Sequence, residues 1–308
     1  MKEQLSGAQN RQASLVKRIA RLAGDKNRLD TGIAGLSLHR FTAPTEPASY
    51  NHPPSICLIG QGRKRVLLGK QAYMYDADRF LISSVNLPLV AEIIEASEEH
   101  PYLGLTLELD LQAIARLMLD HRPPSSPRSS DPIGIAVGRV SASLVDAFVR
   151  LLDLLDQPED IPALAPLIQH EISYRLLKSE QGPRLRHMTA IESHSHQIAR
   201  AIEWLKNNFD KAFRVEELAS KAGMSTSNFH QHFRAMTTMS PLQYQKRLRL
   251  NEARQRMLTG HLDAATAAFE VGYQSPSQFS REYRRFFGAP PLRDIKTLQQ
   301  TVDVAGFQ

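Results

Sequence analysis

The spacing of apolar residues changes twice along the chain and divides it into three textures. Up to about Gly24, Leu15, Val16, Ile19, Leu22 and Ala23 recur at helical intervals among Lys17, Arg18 and Arg21. They predict a basic amphipathic helix that packs on the following domain, its stripe being too short and too poor in large aromatics for a membrane surface. From Leu36 to about Leu111 the runs "LSLHRF", "SICLIG", "RKRVLLG", "QAYMYD", "RFLISS", "LVAEIIEA" and "YLGLTLEL" are short, β-prone and separated by Pro, Gly, Asp and Asn, which predicts a sheet or small barrel. Within it "IGQGRKRV" predicts a hairpin with Gly60 or Gly62 in the turn.

Helical spacing then returns. "LQAIARLMLD" leads into "HRPPSSPRSSDP", which reads as an exposed connection. Leu144, Val145, Phe148, Leu151, Leu152 and Leu155 form one apolar stripe and "APLIQHEISYRLLKS" carries another; the pair either covers the open sheet or meets a second copy of itself. Gly182 and Pro183 break the order, and a linker is placed there. From Ser195 onward every segment reads as helix, with Ile198, Ile202, Trp204 and Leu205 turned inward. The fold class expected is α+β in two domains: residues 1–183 with a β-barrel-like part at 36–111 and helices at about 141–179, and an all-α part at 184–308.

The all-α part contains a duplication. With "LASKAGMSTSNFHQHFRAMTTMSPLQY" beside "AAFEVGYQSPSQFSREYRRFFGAPPLRD", Phe229 falls on Phe279, Phe233 on Tyr283 and Pro241-Leu242 on Pro291-Leu292, all fifty positions apart. Each copy has a short helix with a small Ala (Ala219, Ala268), a Gly for the reversal (Gly223, Gly272) and a Ser that reads as the next helix cap (Ser225, Ser275). That is the layout of a helix-turn-helix, here expected at about 214–237 and 263–287. A recognition helix enters the major groove with its N-terminal side chains at base edges, and two on one chain reach successive grooves if held about 34 Å apart. A helix from Pro241 to Thr259 spans roughly 28 Å, a fitting strut once the width of the modules is added.

Phe229, Phe233 and Met236 would bury the first recognition helix, leaving Thr226, Ser227, Asn228, His230, Gln231 and Arg234 on the other side. Ser227, Asn228, His230 and Gln231 are assigned to bases and Arg234 to phosphate. In the second unit Ser277, Gln278, Ser280 and Arg281 take the reading positions, with Arg284 and Arg285 near the backbone. A polar residue on such a face either reads the duplex or only faces solvent, so the assignment is of the surface.

Charge agrees with this. The formal net charge is +6, and from Arg234 to Lys296 eleven Lys or Arg stand against five acids, a bias that attracts a polyanion or else makes a solvated face. The 308 residues, 42% of them hydrophobic, suffice for two cores. No long apolar run follows a basic start, so neither a secretory signal nor a membrane span is read and a cytoplasmic location is expected. One cysteine, Cys57, forms no internal disulfide and builds no cysteine-based zinc cluster. It is either a buried inert thiol or one that reacts with an aldehyde or other electrophile, which requires a nearby cation such as Arg63, Lys64 or Arg65. The pair His194 and His196 lacks a further ligand set, so no metal and no cofactor is expected. A barrel oxygenase, the rival enzyme reading, needs two or three converging His and a carboxylate, whereas His39, His52 and His100 read as isolated. A zinc-dependent alkyl acceptor is excluded by the single cysteine.

At "VEELASKAGMSTSNFHQHFR" and "AAFEVGYQSPSQFSREYRRFFGAPPLRD" the chain resembles the AraC/XylS family of bacterial transcription regulators over about the last hundred residues. It departs from the family in having Ala265, Thr266, Ala267 and Ala268 where an Ile-Ala pair is usual. "SICLIGQGRKRVLLGKQAYMYDADRFLISSVNLPL" resembles the amino-terminal domain of one subgroup, which implies a cupin-like sensing and dimerisation domain. The expectation is a non-enzymatic, sequence-specific regulator bound to double-stranded promoter DNA and controlled by an unidentified small molecule. The resemblance implies a homodimer and contact with RNA polymerase; from the apolar pattern, no membrane partner is expected.

Overall fold

The computed structural model describes residues 2–121, 133–189, 193–260 and 262–304; the connection expected after His121 occupies 122–132 and lies outside them. Strands β1 (Arg28–Asp30), β2 (Leu36–Phe41), β3 (Ala48–His52), β4 (Ser55–Gln61), β5 (Arg63–Leu68), β6 (Gln71–Tyr75), β7 (Arg79–Ser83), β8 (Leu87–Glu95), β9 (Tyr102–Glu108) and β10 (Ile135–Arg139) form two antiparallel sheets. One runs β1-β2-β9-β4-β7-β10 and the other β3-β8-β5-β6. They pack as a sandwich, and the described strands close no barrel; β1 and β10 also extend the sheet beyond the stretch expected for it.

The expected hairpin is absent. β4 pairs with β7 and β9, while β5 pairs with β6 and β8. Gly62, at φ 88°, turns the corner between the sheets, and a Cβ there would stand 2.6 Å from the Glu95 carbonyl oxygen. A turn signal reports that the chain reverses, not which strand it then joins.

Alternation along the strands separates two cores. On β2 and β9, Leu36, Leu38, Leu103, Leu105 and Leu107 pack outward beneath helices, while Ser37, His39, Phe41, Tyr102 and Thr106 face the sandwich interior. The covering helices are α1 (Lys2–Ala23), α2 (Leu111–His121), α3 (Ala142–Asp153), α4 (Ile161–Lys178) and α5 (Gly182–Thr189). Leu15, Ile19 and Ala23 are buried, as the amphipathic pattern of α1 requires. Arg11, Arg18 and Arg21 pair with Asp146, Asp153 and Asp156 at one constant offset of 135, which sets α1 parallel to α3. The stripes of α3 and α4 cover the sheet, although Leu164, Leu167 and Tyr174 of α4 stay exposed. Gly182 and Pro183 begin α5 instead of forming the expected linker, since Pro in a first helical turn forfeits no hydrogen bond.

Beyond them come α6 (His194–Asn207), α7 (Val215–Lys221), α8 (Thr226–Thr237), α9 (Pro241–Thr259), α10 (Ala264–Glu270), α11 (Pro276–Phe287) and α12 (Pro291–Val304). Trp204 is half-buried with the Lys221 ammonium 4.8 Å from its ring centroid, not the core residue expected. The second core runs without a break from the sandwich into α6, α7, α8 and the first half of α9, joining Val66, Leu87 and Ile135 to Phe229, Phe233 and Leu248. A third core holds the second half of α9 with α10, α11 and α12.

Candidate nucleic-acid interface

The duplication is realised as two helix-turn-helix units, α7 with α8 and α10 with α11. Gly223 (φ 68°) and Gly272 (φ 87°) make the reversals in the left-handed region, and Ser225 and Ser275 accept from the amides of Asn228 and Gln278 as N-caps. Phe229, Phe233, Phe279 and Tyr283 are fully buried, and Ala219 and Ala268 let the paired helices close up. Between the units α9 opens with a capping box, in which Ser240 and Gln243 satisfy each other's amides and Pro241 follows the cap, and it stops at Gly260.

The polar faces lie outward. Ser227, Asn228, His230, Gln231 and Arg234 are exposed and Thr226 is partly so; in the second unit Ser277, Gln278, Arg281, Arg284 and Arg285 are exposed and Ser280 is partly so. Among the described residues Gln278 alone of these twelve has a side-chain hydrogen bond to the protein, to Glu282 at 3.3 Å. The rest spend no polar atom on the fold.

The basic excess is less available than the tally of charges implies. Arg249 donates to the carbonyls of Phe209, Gly272, Asp210 and Lys211, with distances of 2.6–3.2 Å. Arg254 pairs with Asp294 at 2.8 Å, Arg256 with Glu252 and Glu270, and Lys246 with Glu282 at 3.0 Å. These cations hold the second unit to the strut and Arg247 is half-buried over the Phe286 ring, so the outward charge comes from Arg234, Arg281, Arg284, Arg285, Arg293 and Lys296.

The sandwich holds a cavity of about 690 Å³ that sequence reasoning did not find. Arg28, Asp30, Glu46 and Glu108 form its exposed rim, and Phe41, Ile33 and Ile93 supply apolar wall. His39 and His52, isolated in sequence, both line it from opposite sheets. Burial and the Lys64 charge push each imidazole down to about 3, so both rings are neutral at neutral pH. Burial alone would lower Lys64, but the Tyr50 and Tyr102 oxygens outweigh it and the ammonium is retained above the usual lysine range. Desolvation in turn raises both phenols, Tyr102 to about 12. Cys57 is buried beside this cluster, with Sγ 3.5 Å from Thr106 Oγ1 and 3.8 Å from His52 Nε2. The expected cation is therefore Lys64, brought in from β5 across the sandwich. His194 lies against His232 with ring centroids 4.4 Å apart and the rings tilted by 48°, and among the described residues no three metal-ligating side chains converge.

Two outward recognition helices on one strut, seated on a β-sandwich with an internal cavity, define a DNA-binding regulator architecture. Residues 32–184 match the family model described as the AraC-type transcriptional regulator N-terminus, and 218–296 match a helix-turn-helix domain model. The chain belongs to the AraC family of transcriptional regulators. It is 25% identical over 173 residues to the transcriptional activator RhaS of Yersinia pestis, covering 56% of this chain and 62% of that one. To the regulator ExsA of Pseudomonas aeruginosa it is 26% identical over 166 residues, covering 54% and 59%. The fold matches that of ToxT from Vibrio cholerae with a TM-score of 0.59 over 86% of this chain and 98% of that one, at 10% identity. A second ToxT structure, with a bound unsaturated fatty acid, matches with a TM-score of 0.57 over 87% and 97%, also at 10% identity.

Proposed function

We propose that the protein is a sequence-specific regulator of transcription, binding promoter DNA through α8 and α11 and answering to a small molecule held in the sandwich cavity. The observation that carries this reading is the pair of outward helix faces whose polar side chains, Gln278 apart, make no side-chain hydrogen bond to the protein among the described residues. Both helices present short hydrogen-bonding groups near their N-termini and arginine further along, the arrangement that reads base edges and grips phosphates. The regulator names of the relatives support the reading, as does the fatty acid bound to the fold neighbour for the idea of an effector. Exposed Leu164, Leu167 and Tyr174 on α4 favour a homodimer, and contact with RNA polymerase accompanies promoter binding in this reading. An electrophile acting at Cys57 is the second effector reading, favoured by the cation and imidazole beside the thiol.

The test is selection of bound sequences from random duplexes with the full chain, followed by Arg281→Ala. Enrichment of one motif, and loss of about 1–3 kcal/mol in affinity for it on substitution, are expected. An unselective pool, or unchanged affinity and selectivity in the variant, would remove the assignment.

A further inference from the structure

Resting on the reading of the cavity as the effector site, we propose that its occupant is a small molecule bearing a carboxylate, held by Lys64, Tyr50 and Tyr102, and that β3 relays its presence to the strut.

The carboxylate follows from a cation with no counter-charge. Lys64 lies on the inward face of β5, in line with Val66 and Leu68, which continue into the core. Among the described residues no Asp or Glu forms an ion pair with it. Of the acids lining the cavity, Asp30 is committed to Arg28 and Glu92 to Arg65, and Glu46 and Glu108 stand on the exposed rim. The groups that act on Lys64 are Tyr50, with which it shares a hydrogen bond, Tyr102 and Cys57, and none of them is a carboxylate. Lys64 is half-buried and lines the cavity, and an ammonium turned from bulk water into such a space gains from a charged partner, because dipoles alone repay little of its lost hydration.

The neighbours have the complementary property. The two phenols remain protonated and can donate. An ammonium and two O–H donors around one space suit the two oxygens of a carboxylate, whereas an alcohol or amide would leave the charge uncompensated. The volume is that of a small-molecule site, and Phe41, Ile33 and Ile93 accept an apolar body.

β3 connects this site to the strut. Tyr50 and His52 point into the cavity, and alternation sends Ser49 and Asn51 to the opposite side. There Ser49 Oγ donates to Asn251 Oδ1 at 2.9 Å, Asn251 Nδ2 donates to Asn51 Oδ1 at 2.9 Å, and Asn51 Nδ2 donates to the Leu248 carbonyl at 3.5 Å. Asn251 stands where α9 leaves the core shared with the sandwich, after Leu248, and enters the core of the second unit, at Leu250 and Ala253. β3 is an edge strand paired with β8 alone, so it can shift without breaking a second ladder. Moving it toward or away from an occupant bends the strut where the angle between the two units is set.

The experiment uses the full chain without DNA and titrates acid and amide pairs of matched shape by calorimetry: propionate and propionamide, octanoate and octanamide, 4-phenylbutyrate and 4-phenylbutyramide. At least one acid is expected to bind tenfold or more tightly than its amide, with Lys64→Met abolishing that preference and Lys64→Arg retaining it. Tyr102→Phe should weaken the same acid severalfold, and thermal melting establishes that each variant is folded. Absence of binding by every acid, equal binding of the amides, or a preference that survives in folded Lys64→Met and Tyr102→Phe would overturn the carboxylate. For the relay, Asn251→Ala should leave acid affinity unchanged while abolishing the acid's effect on the affinity for a selected duplex; an undiminished effect would overturn it. Because acid binding is read without DNA, its failure leaves the DNA-binding reading intact, and the converse also holds.

Discussion

His39 and His52 illustrate what single residues contribute once the fold has placed them. In the native chain both rings titrate near 3, against about 6.5 when unfolded, so between those values the unfolded state binds more protons. Stability is accordingly full above about pH 6.5 and falls as pH drops, by about 1.4 kcal/mol per pH unit for each ring. Burial is the main cause for both rings; Lys64 and Arg28 lower His39 further against an opposing Asp30, and Lys64 lowers His52, whose ring also meets Ser55, Cys57 and Tyr50. Urea midpoints measured from pH 7 to 4 should show His52→Gln with a shallower acid slope than the wild type, by up to about 1.4 kcal/mol per pH unit; an unchanged slope would contradict the burial assigned to the ring. None of this was legible in sequence, since the two histidines belong to different sheets and only the sandwich brings them to one cavity. The arginines show the same limit. Arg249 and Arg285 look alike in a tally of charges, yet one bonds to backbone carbonyls and the other projects outward. Arg249→Ala should cost about 1–3 kcal/mol of stability, whereas Arg285→Ala should leave stability within about 0.5 kcal/mol. Arg285→Ala should also lower the salt dependence of duplex binding by about one ion. Melting and salt titrations of the two variants check the contrast.

At the scale of elements, the helical third was legible because each signal is local. The fifty-residue repeat, the serine caps, Pro241 and the glycines all act within a turn or two of their own position. Strands were legible as strands but not as neighbours, because pairing is settled by distant chain; hence "IGQGRKRV" looked like a hairpin and became the corner at Gly62. The repeat also hides a difference between its two glycines. A Cβ on Gly223 would meet nothing nearer than 3.8 Å, but one on Gly272 would stand 2.0 Å from the Asp210 carbonyl oxygen. Gly223→Ala should therefore cost only the left-handed backbone penalty, about 1–2 kcal/mol, and Gly272→Ala about 1–3 kcal/mol beyond that for the backbone clash. Equal losses in urea denaturation would mean that the second turn is not wedged against the loop after α6.

The molecule as a whole is divided differently from its domains. The sandwich and the first helix-turn-helix unit share one core, tied further by Tyr244 Oη to the Asn86 carbonyl at 2.7 Å and the Gly134 amide to the Met236 carbonyl at 3.0 Å. The second unit has its own core, and the strut belongs to both. In the reading proposed above, an occupant of the cavity would act on a first unit already fixed to the sandwich, and its effect on DNA would appear as a change in where the second unit lies. Joint engagement of one duplex by α8 and α11 is open to hydroxyl-radical footprinting of the full chain on a selected duplex. Two protected blocks are expected on one face of the DNA, centred about one helical turn or 10 base pairs apart, with Gln231→Ala weakening one block and Arg281→Ala the other. A single block, or two blocks that respond identically to both substitutions, would contradict it.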